Sequence, residues 1–295
     1  MYLICMKGYY NMDLTSPRTI RNIQEQFGFT FKKGLGQNFL TARNILEEIV
    51  DAAEIESGVI EVGPGFGVLT SELAQNSDKV VTIEIDERLI DVLDYTLAEY
   101  DNVKIINEDI LKLDLKKVID DEFNGENVSI AANLPYYITT PIITKLLEEK
   151  LPIKNIVVMV QKEVAERMSA KPSTKDYGAI TVLCQYYTEP SIVANVPASL
   201  FVPPPKVDSA VLKLKVLDKP SVEVKDEGVF FRVVKAAFSQ RRKTLLNCLS
   251  ANFPIPKDEI STLLESIGIA PSRRGETLSL EEFANIADTL LQKIK

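Results

Sequence analysis

The chain of 295 residues contains no histidine. Nucleophilic catalysis of the Ser-His and Cys-His types is therefore excluded, as is zinc held by histidine, because each needs an imidazole ring. Any chemistry must rely on carboxylates, amides, backbone groups, lysine, tyrosine or a cofactor. We expect no metal site.

Cysteine is scarce as well. The three cysteines, Cys5, Cys184 and Cys248, are far apart in the sequence and form no C-x-x-C spacing. This usage is typical of a reducing cytosol, and we interpret Cys184 and Cys248 as small apolar core residues. No apolar run approaches the ~20 residues that span a bilayer. We therefore expect a cytoplasmic protein with no membrane partner.

The net charge of −8 argues at first sight against a nucleic-acid partner. The acidic excess is local, however, because residues 84–126 hold fourteen acidic and five basic residues and so account for −9. Residues 228–257 contain no acidic residue but include Arg232, Lys235, Arg241, Arg242, Lys243 and Lys257. A basic surface on an acidic protein is compatible with this distribution.

A glycine-punctuated turn follows the β-branched run that begins at Val59. Gly63, Gly65 and Gly67 alternate with Pro64 and Phe66, and an apolar helical pattern comes next. Strand, tight turn and helix form the first unit of a nucleotide-binding α/β fold, in which glycine lets the backbone approach a ligand. The spacing lacks the third glycine of the dinucleotide pattern. It favours a turn that holds the methionine half of S-adenosylmethionine.

Strands and helices alternate after this turn. The pattern predicts strands over residues 79–85, 103–106, 128–132 and 156–160, with helices between them, and hence a parallel sheet. Ligands bind at the carboxyl ends of such strands, where Glu84, Asp109 and Asn133 lie. The Glu84 carboxylate is placed to accept both hydroxyls of a ribose. Two further strands, over 191–196 and 209–216, are joined without a helix and predict an antiparallel edge.

The remaining pattern is helical. We predict a seven-stranded Rossmann-like methyltransferase domain over residues 1–217 and a small all-α domain over 218–295. Residues 1–12 are interpreted as a mis-called start or a disordered extension, since Met6 and Met12 are alternative initiators. Residues 32–40 form a polar loop, which is either a solvated connection or a lid that carries Lys32 and Lys33 to a phosphate.

The stretch Asn133-Leu134-Pro135-Tyr136 is the strongest chemical signal. The exocyclic nitrogen of adenine is a poor nucleophile, because its lone pair is delocalised into the ring. The Asn133 side-chain oxygen and the Leu134 carbonyl provide two acceptors for its N–H groups, and Pro135 holds the backbone. The Tyr136 ring can stack on a base taken out of its helix. Such chemistry needs no histidine.

The sequence resembles the KsgA-type ribosomal RNA adenine dimethyltransferases over nearly its whole length. The shared segments are residues 35–40, 61–65, 84–86, 133–141, 201–210 and 238–243. The resemblance implies S-adenosylmethionine-dependent N6-dimethylation of two adjacent adenines in a hairpin loop near the 3′ end of small-subunit rRNA, late in subunit biogenesis. Thr139, where the family often has serine, is a minor departure.

The resemblance also implies roles for single residues. Contacts to the cofactor are expected from Asn38, Leu40, Gly63, Glu84, Asp109 and Asn133, with Glu84 on the ribose and Asp109 on the adenine amino group. Asn133, Leu134, Pro135 and Tyr136 would hold the target adenine, and Phe201 is a second stacking face. The charge pattern, rather than the resemblance, leads us to expect that Lys32 and Lys33, with Arg241, Arg242 and Lys243, contact RNA. The alternative for the last three is a solvated helix face or helix capping.

Three other functions stay open at this point. A large-subunit methyltransferase of the macrolide-resistance type shares the cofactor site, but usually has isoleucine where Leu134 stands and lacks the block over residues 201–210. A second alternative is that the protein acts mainly as an assembly factor that binds immature subunits. A DNA methyltransferase is the least favoured, because no target-recognition insertion is evident. We expect the partner to be small-subunit rRNA within an immature 30S particle and the protein to be a monomer.

Overall fold

The structure, a computed structural model, describes residues 12–29 and 38–294. The helices in this part are α1 (Pro17–Phe27), α2 (Arg43–Ala53), α3 (Val68–Gln75), α4 (Ile90–Thr96), α5 (Leu115–Phe123), α6 (Thr139–Glu148), α7 (Lys162–Met168), α8 (Ala179–Tyr187), α9 (Glu227–Ala237), α10 (Leu245–Asn252), α11 (Lys257–Ser266) and α12 (Leu280–Ile294). The strands are β1 (Phe39–Leu40), β2 (Val59–Val62), β3 (Val80–Glu84), β4 (Val103–Asn107), β5 (Val128–Asn133), β6 (Ile153–Gln161), β7 (Thr188–Val196), β8 (Phe201–Val202) and β9 (Ser209–Val216).

Local chemistry sets the ends of helix α1. The Ser16 side chain caps the first turn by accepting a backbone N–H, and Pro17 occupies the first helical position. Gly28 ends the helix in the left-handed conformation, with φ of 59°. Ile20 and Ile23 are buried on one side, as their spacing predicts.

Seven strands form the main sheet, in the order β4-β3-β2-β5-β6-β9-β7. Strand β2 pairs in parallel with β3 and with β5, while β3 pairs in parallel with β4 and β5 with β6. This confirms the predicted parallel α/β arrangement. The strand order reverses between β2 and β5, which opens a crevice at their carboxyl ends.

The last two strands of this sheet are neighbours, with β9 between β6 and β7. A separate two-stranded sheet pairs β1 with β8 in antiparallel register and places Leu40 opposite Phe201. The sequence did not predict this second sheet, because two-residue strands are too short to show a hydrophobic period.

The centre of the main sheet is fully buried. Every residue of β2 and β3 is buried, and burying a valine or isoleucine side chain contributes about 1.5–3 kcal/mol. Among the polar residues there, Glu61 and Glu84 are functional candidates. The core therefore holds the carboxyl ends of these strands rigidly.

Contacts divide the chain into two compact units. The first comprises the residues up to Lys162 together with Val193–Lys213, and the second comprises Glu163–Ile192 and the chain from Leu214 onward. Helices α7 and α8 thus fall in the second unit. The domain boundary expected between residues 217 and 218 stays a prediction.

Aromatic packing organises the second unit. Tyr186 stacks on Phe230 at 4.8 Å between ring centroids, and Tyr177 meets Phe238 edge-on at 5.9 Å. Cys184 and Cys248 are buried free thiols, as expected of core residues, and burial raises the pKa of the Cys184 thiol to about 12. No helix within residues 12–29 and 38–294 is long and apolar enough to span a bilayer.

Candidate active site

A cavity opens at the carboxyl ends of β2, β3 and β5, where the strand order reverses. Its empty volume, including space open to solvent, is about 1140 Å³. Apart from Phe201, the residues predicted for the cofactor and the target base line it together: Asn38, Leu40, Gly63, Glu84, Asp109, Asn133, Leu134, Pro135 and Tyr136. All of them belong to the first compact unit.

The glycine turn forms one wall of this cavity. Gly63 has φ of +72°, and no atom lies within 4 Å of the position that a Cβ would take. Gly65 has φ of +60°, and a Cβ there would lie 2.7 Å from the Phe39 ring. Both positions require glycine for their backbone conformation, and Gly65 requires it for space as well.

Glu84 lies at the end of β3 and is only 5% exposed. Its Oε1 accepts a hydrogen bond of 2.7 Å from the backbone N–H of Asp86. Burial raises the pKa of the Glu84 carboxyl to about 7, although the backbone N–H groups of Asp86, Gly65 and Ile85 oppose the shift. The group therefore titrates near neutral pH.

Glu61 is a second buried carboxyl group on the cavity wall, and the sequence assigned it no role. It is 1% exposed, and the Thr70 hydroxyl donates a hydrogen bond of 2.5 Å to its Oε2. Burial raises the pKa of Glu61 to about 8. Burial therefore favours the protonated form of the Glu61 carboxyl.

Asp109 follows β4 and is held by its own turn. Its Oδ1 accepts from the backbone N–H of Leu111 at 3.0 Å, and its Oδ2 lies 3.7 Å from the Lys112 ammonium. The neighbouring Asn107 side chain donates to the Glu84 carbonyl at 2.7 Å. The Asn107 bond ties the end of β4 to the end of β3, and the turn bonds fix the Asp109 carboxylate beside it.

The amide of Asn133 is oriented by the backbone of Asn38. Its Nδ2 donates a hydrogen bond of 2.9 Å to the Asn38 carbonyl, so its Oδ1 is the end left to accept. The Leu134 N–H donates to the Met159 carbonyl on β6 at 3.2 Å. Neither the Asn133 Oδ1 nor the Leu134 carbonyl accepts a hydrogen bond from another described residue. The site thus presents two fixed acceptors.

Tyr136 is half-buried beside these acceptors. Its hydroxyl and the Ser209 hydroxyl, at the start of β9, are 2.7 Å apart and share a hydrogen bond. Burial raises the pKa of the Tyr136 phenol, so the ring is neutral at physiological pH. The sequence did not predict Ser209 as the partner of Tyr136. The one hint was that Ser209 lies in the segment over residues 201–210 that the chain shares with the family.

Phe201 does not line the cavity. The residue is 3% exposed and packs in the apolar core, where β8 pairs it with Leu40. A buried ring has no free face to offer a base, so the structure as it stands does not supply the second stacking surface. The stacking role of Phe201 stays a prediction.

The predicted RNA contacts from the basic cluster belong to the second unit. Arg241, Arg242 and Lys243 are exposed residues there. The Arg241 guanidinium donates to the Lys175 carbonyl, whereas Arg242 and Lys243 form no ion pair with any described residue. Arg241 therefore has a structural bond as well. Lys32 and Lys33 lie outside the described residues.

The hydrogen-bonding groups and the open space of the cavity suit S-adenosylmethionine. The Glu84 carboxylate has acceptor capacity beyond its backbone bonds for the two ribose hydroxyls, and the space beside Gly63 admits a ligand against the backbone. No cluster of three or more metal-ligating side chains occurs among residues 12–29 and 38–294. The cavity thus fits an organic cofactor next to a pair of hydrogen-bond acceptors.

Comparison with known sequences gives a match over most of the chain. The profile of the ribosomal RNA adenine dimethylase family matches residues 28–292. Ribosomal RNA small subunit methyltransferase A from Bacillus mycoides (strain KBAB4) is 54% identical over 285 residues, which are 95% of this chain and 98% of the relative. The protein of the same name from Bacillus cereus (strain B4264) has the same identity and coverage.

Solved structures agree on the fold. A dimethyladenosine transferase from Plasmodium falciparum superposes with a TM-score of 0.70 and 30% identity, covering 84% of this chain and 95% of that one. The 23S rRNA methyltransferase ErmE gives a TM-score of 0.65 and 27% identity, over 86% of this chain and 100% of that one. These two likenesses confirm the methyltransferase fold.

Proposed function

The chain belongs to the ribosomal RNA adenine dimethylase family, and from that membership we propose how its residues perform the reaction. The protein is an enzyme that dimethylates adenine N6 in 16S rRNA with S-adenosylmethionine as methyl donor. More specifically, its target is two adjacent adenines in the loop of a hairpin near the 3′ end, modified late in small-subunit biogenesis. The small-subunit relatives at 54% identity favour this over the large-subunit alternative.

The pair of acceptors on Asn133 and Leu134 is the observation that carries the mechanism. Each accepts one N–H of the target adenine amine, and the nitrogen lone pair then localises away from the ring. The bond from Asn133 Nδ2 to the Asn38 carbonyl keeps the amide oxygen pointed at the amine. Preorganised acceptors need no rearrangement during the reaction.

The other cavity residues position the two reactants. The Tyr136 ring, held by Ser209, stacks on the extruded target adenine. Glu84 binds the ribose of the cofactor, and Asp109 binds its adenine amino group. The backbone at Asn38, Leu40 and Gly63 contacts the remaining parts of the cofactor. Bound S-adenosylmethionine supplies an activated methyl group. No general base is required, because the methylated amine is acidic enough to lose its proton to water.

Incubation with labelled S-adenosylmethionine tests the function directly. Unmethylated small subunits, naked small-subunit rRNA and large-subunit rRNA are compared as substrates. We expect label in adenines of the small-subunit RNA, with the assembled particle as the better substrate. Label confined to large-subunit rRNA would instead support the macrolide-resistance type.

The proposal also covers the setting of the reaction. An immature 30S particle presents the hairpin, and the enzyme acts on it as a monomer in the cytoplasm, where ribosomes are assembled. Basic residues of the second unit, Arg241, Arg242 and Lys243, hold the RNA backbone. Lys32 and Lys33 contribute further phosphate contacts.

Replacing Arg241, Arg242 and Lys243 by alanine should weaken subunit binding and flatten its salt dependence. Each lost phosphate contact lowers the slope of log affinity against log salt by about 0.7–0.9. Arg241 also donates a hydrogen bond to the Lys175 carbonyl, so we expect it to contribute less than one full phosphate contact. The slope should therefore change by roughly two units in total. Filter binding of unmethylated small subunits at several salt concentrations measures it.

A matched control removes the same charge from the acidic part of the chain. Lys104, Lys116 and Lys117 are exposed, and the first two pair with Glu122 and Asp120. Their triple alanine variant should keep the wild-type salt slope. Equal slopes for wild type and the Arg241 triple variant, with folding checked by circular dichroism, would show that the cluster is only a solvated face.

A further inference from the structure

Tyr137 is an exposed aromatic residue on the edge of the catalytic cavity. Its side chain is 59% exposed, more than any other large hydrophobic side chain in the described part of the chain. It nevertheless lines the cavity, next to Tyr136 in the turn that precedes α6. Two consecutive tyrosines therefore occupy one site in two different environments.

The fold gives the Tyr137 ring no role of its own. Its hydroxyl forms no hydrogen bond, and its ring meets no other aromatic ring, among the residues that the structure describes. Tyr136, by contrast, is half-buried and bonded to Ser209. A single exposed aromatic residue is ordinary on a protein surface. Its position beside the two acceptors for the target amine is what suggests a ligand.

The reaction supplies a ligand of matching chemistry. When one of two adjacent adenines occupies the cavity against Tyr136, its neighbour lies one nucleotide away, at the cavity's mouth. A base unstacked from its helix exposes a π-face, and exposed aromatic side chains stack on such faces. We propose that Tyr137 is the stacking platform for the nucleotide adjacent to the target adenine. This inference rests on the proposed function.

The role has a distinct kinetic signature. Stacking of the neighbouring base contributes to holding the RNA but makes no bond to the reacting amine. Loss of the Tyr137 ring should therefore raise KM for the RNA more than it lowers kcat, and should leave cofactor affinity unchanged. Tyr137→Phe keeps the π-face and should retain binding, whereas Tyr137→Asn should not.

The first experiment compares variants on unmethylated small subunits. Tyr137→Ala is expected to raise KM about fivefold to a hundredfold, given the usual size of base–aromatic stacking, and Tyr137→Phe to stay within about twofold of wild type. Tyr95→Ala is the matched control, since Tyr95 is 43% exposed, lies on α4 and does not line the cavity. A wild-type KM in a folded Tyr137→Ala protein would overturn the proposal.

The second experiment removes the partner base. Small subunits are reconstituted with rRNA in which the nucleotide beside one target adenine is abasic. On this substrate wild type and Tyr137→Ala should have the same KM for methylation of the remaining adenine. If Tyr137→Ala raises KM by the same factor on the abasic substrate as on the intact one, Tyr137 does not stack on that base. A wild-type protein that methylates neither substrate contradicts the proposed function itself.

Discussion

Asn133→Ala is expected to slow methyl transfer by about a thousandfold while leaving subunit binding nearly intact. One of the two acceptors for the target amine is lost, and the lone pair is no longer localised toward the methyl group. Removing one preorganised hydrogen-bonding group from an active site costs about a hundredfold to a thousandfold in kcat, and we expect a loss at the upper end. Single-turnover transfer of labelled methyl groups to small subunits measures it.

Binding and catalysis are separated by a second measurement on the same variant. Sedimentation with unmethylated small subunits should show near-wild-type affinity, because we propose that the basic residues of the second unit, and not Asn133, hold the RNA. Asn285→Ala provides the matched control, since Asn285 is exposed on α12. If folded Asn133→Ala protein lost binding together with activity, Asn133 would not be a purely catalytic group.

A companion variant tests the orientation of the same amide. Asn133→Asp keeps an acceptor oxygen but loses the Nδ2 donor, which in wild type bonds the Asn38 carbonyl at 2.9 Å. A carboxylate facing that carbonyl is repelled by it, so the remaining acceptor is no longer held toward the target amine. In the same single-turnover assay we expect activity between that of wild type and that of Asn133→Ala. Full activity in Asn133→Asp would show that the bond to Asn38 does not orient the acceptor.

The sheet and the centre of the site could be predicted from the sequence because local pattern determines them. The β-branched run before Gly63, and the polar residues Glu84 and Asn133 at the ends of buried strands, are signals within a few positions of the strands that carry them. Parallel pairing then brings those strand ends to one edge. Residues that are distant in sequence meet there without any further information.

The parts that could not be predicted depend on contacts between distant segments. Ser209 and Tyr136 share a hydrogen bond although they are 73 positions apart in the sequence. Arg241 donates a hydrogen bond to the Lys175 carbonyl, which is 66 positions away. Phe201 has an aromatic side chain of the kind that stacks on bases, yet it packs in the core, where β8 pairs it with Leu40. Which side of a two-residue strand is buried is decided by tertiary packing, and no hydrophobic period shows it.

Glu84→Ala should weaken cofactor affinity by about tenfold to a hundredfold and leave RNA binding unchanged. A carboxylate that accepts two ribose hydroxyls makes charge-assisted bonds of about 1.5–3 kcal/mol together, which converts to that range of affinity. Isothermal titration with S-adenosylmethionine measures it. Glu99→Ala is the control for the lost charge, since Glu99 is exposed and does not line the cavity.

The pH dependence of cofactor binding gives a sharper test of Glu84. Its pKa is raised to about 7 by burial, and only the ionised form accepts both hydroxyls. Affinity should therefore fall as the pH is lowered from 8 to 6, by up to about tenfold per pH unit below the pKa. Glu84→Gln cannot ionise, so its affinity should be weaker at pH 8 and closer to that of wild type at pH 6. The ratio of the two affinities at each pH reports on Glu84, because the two proteins differ only at this residue. A ratio that stays constant across this range would remove the Glu84 carboxylate from the ribose site.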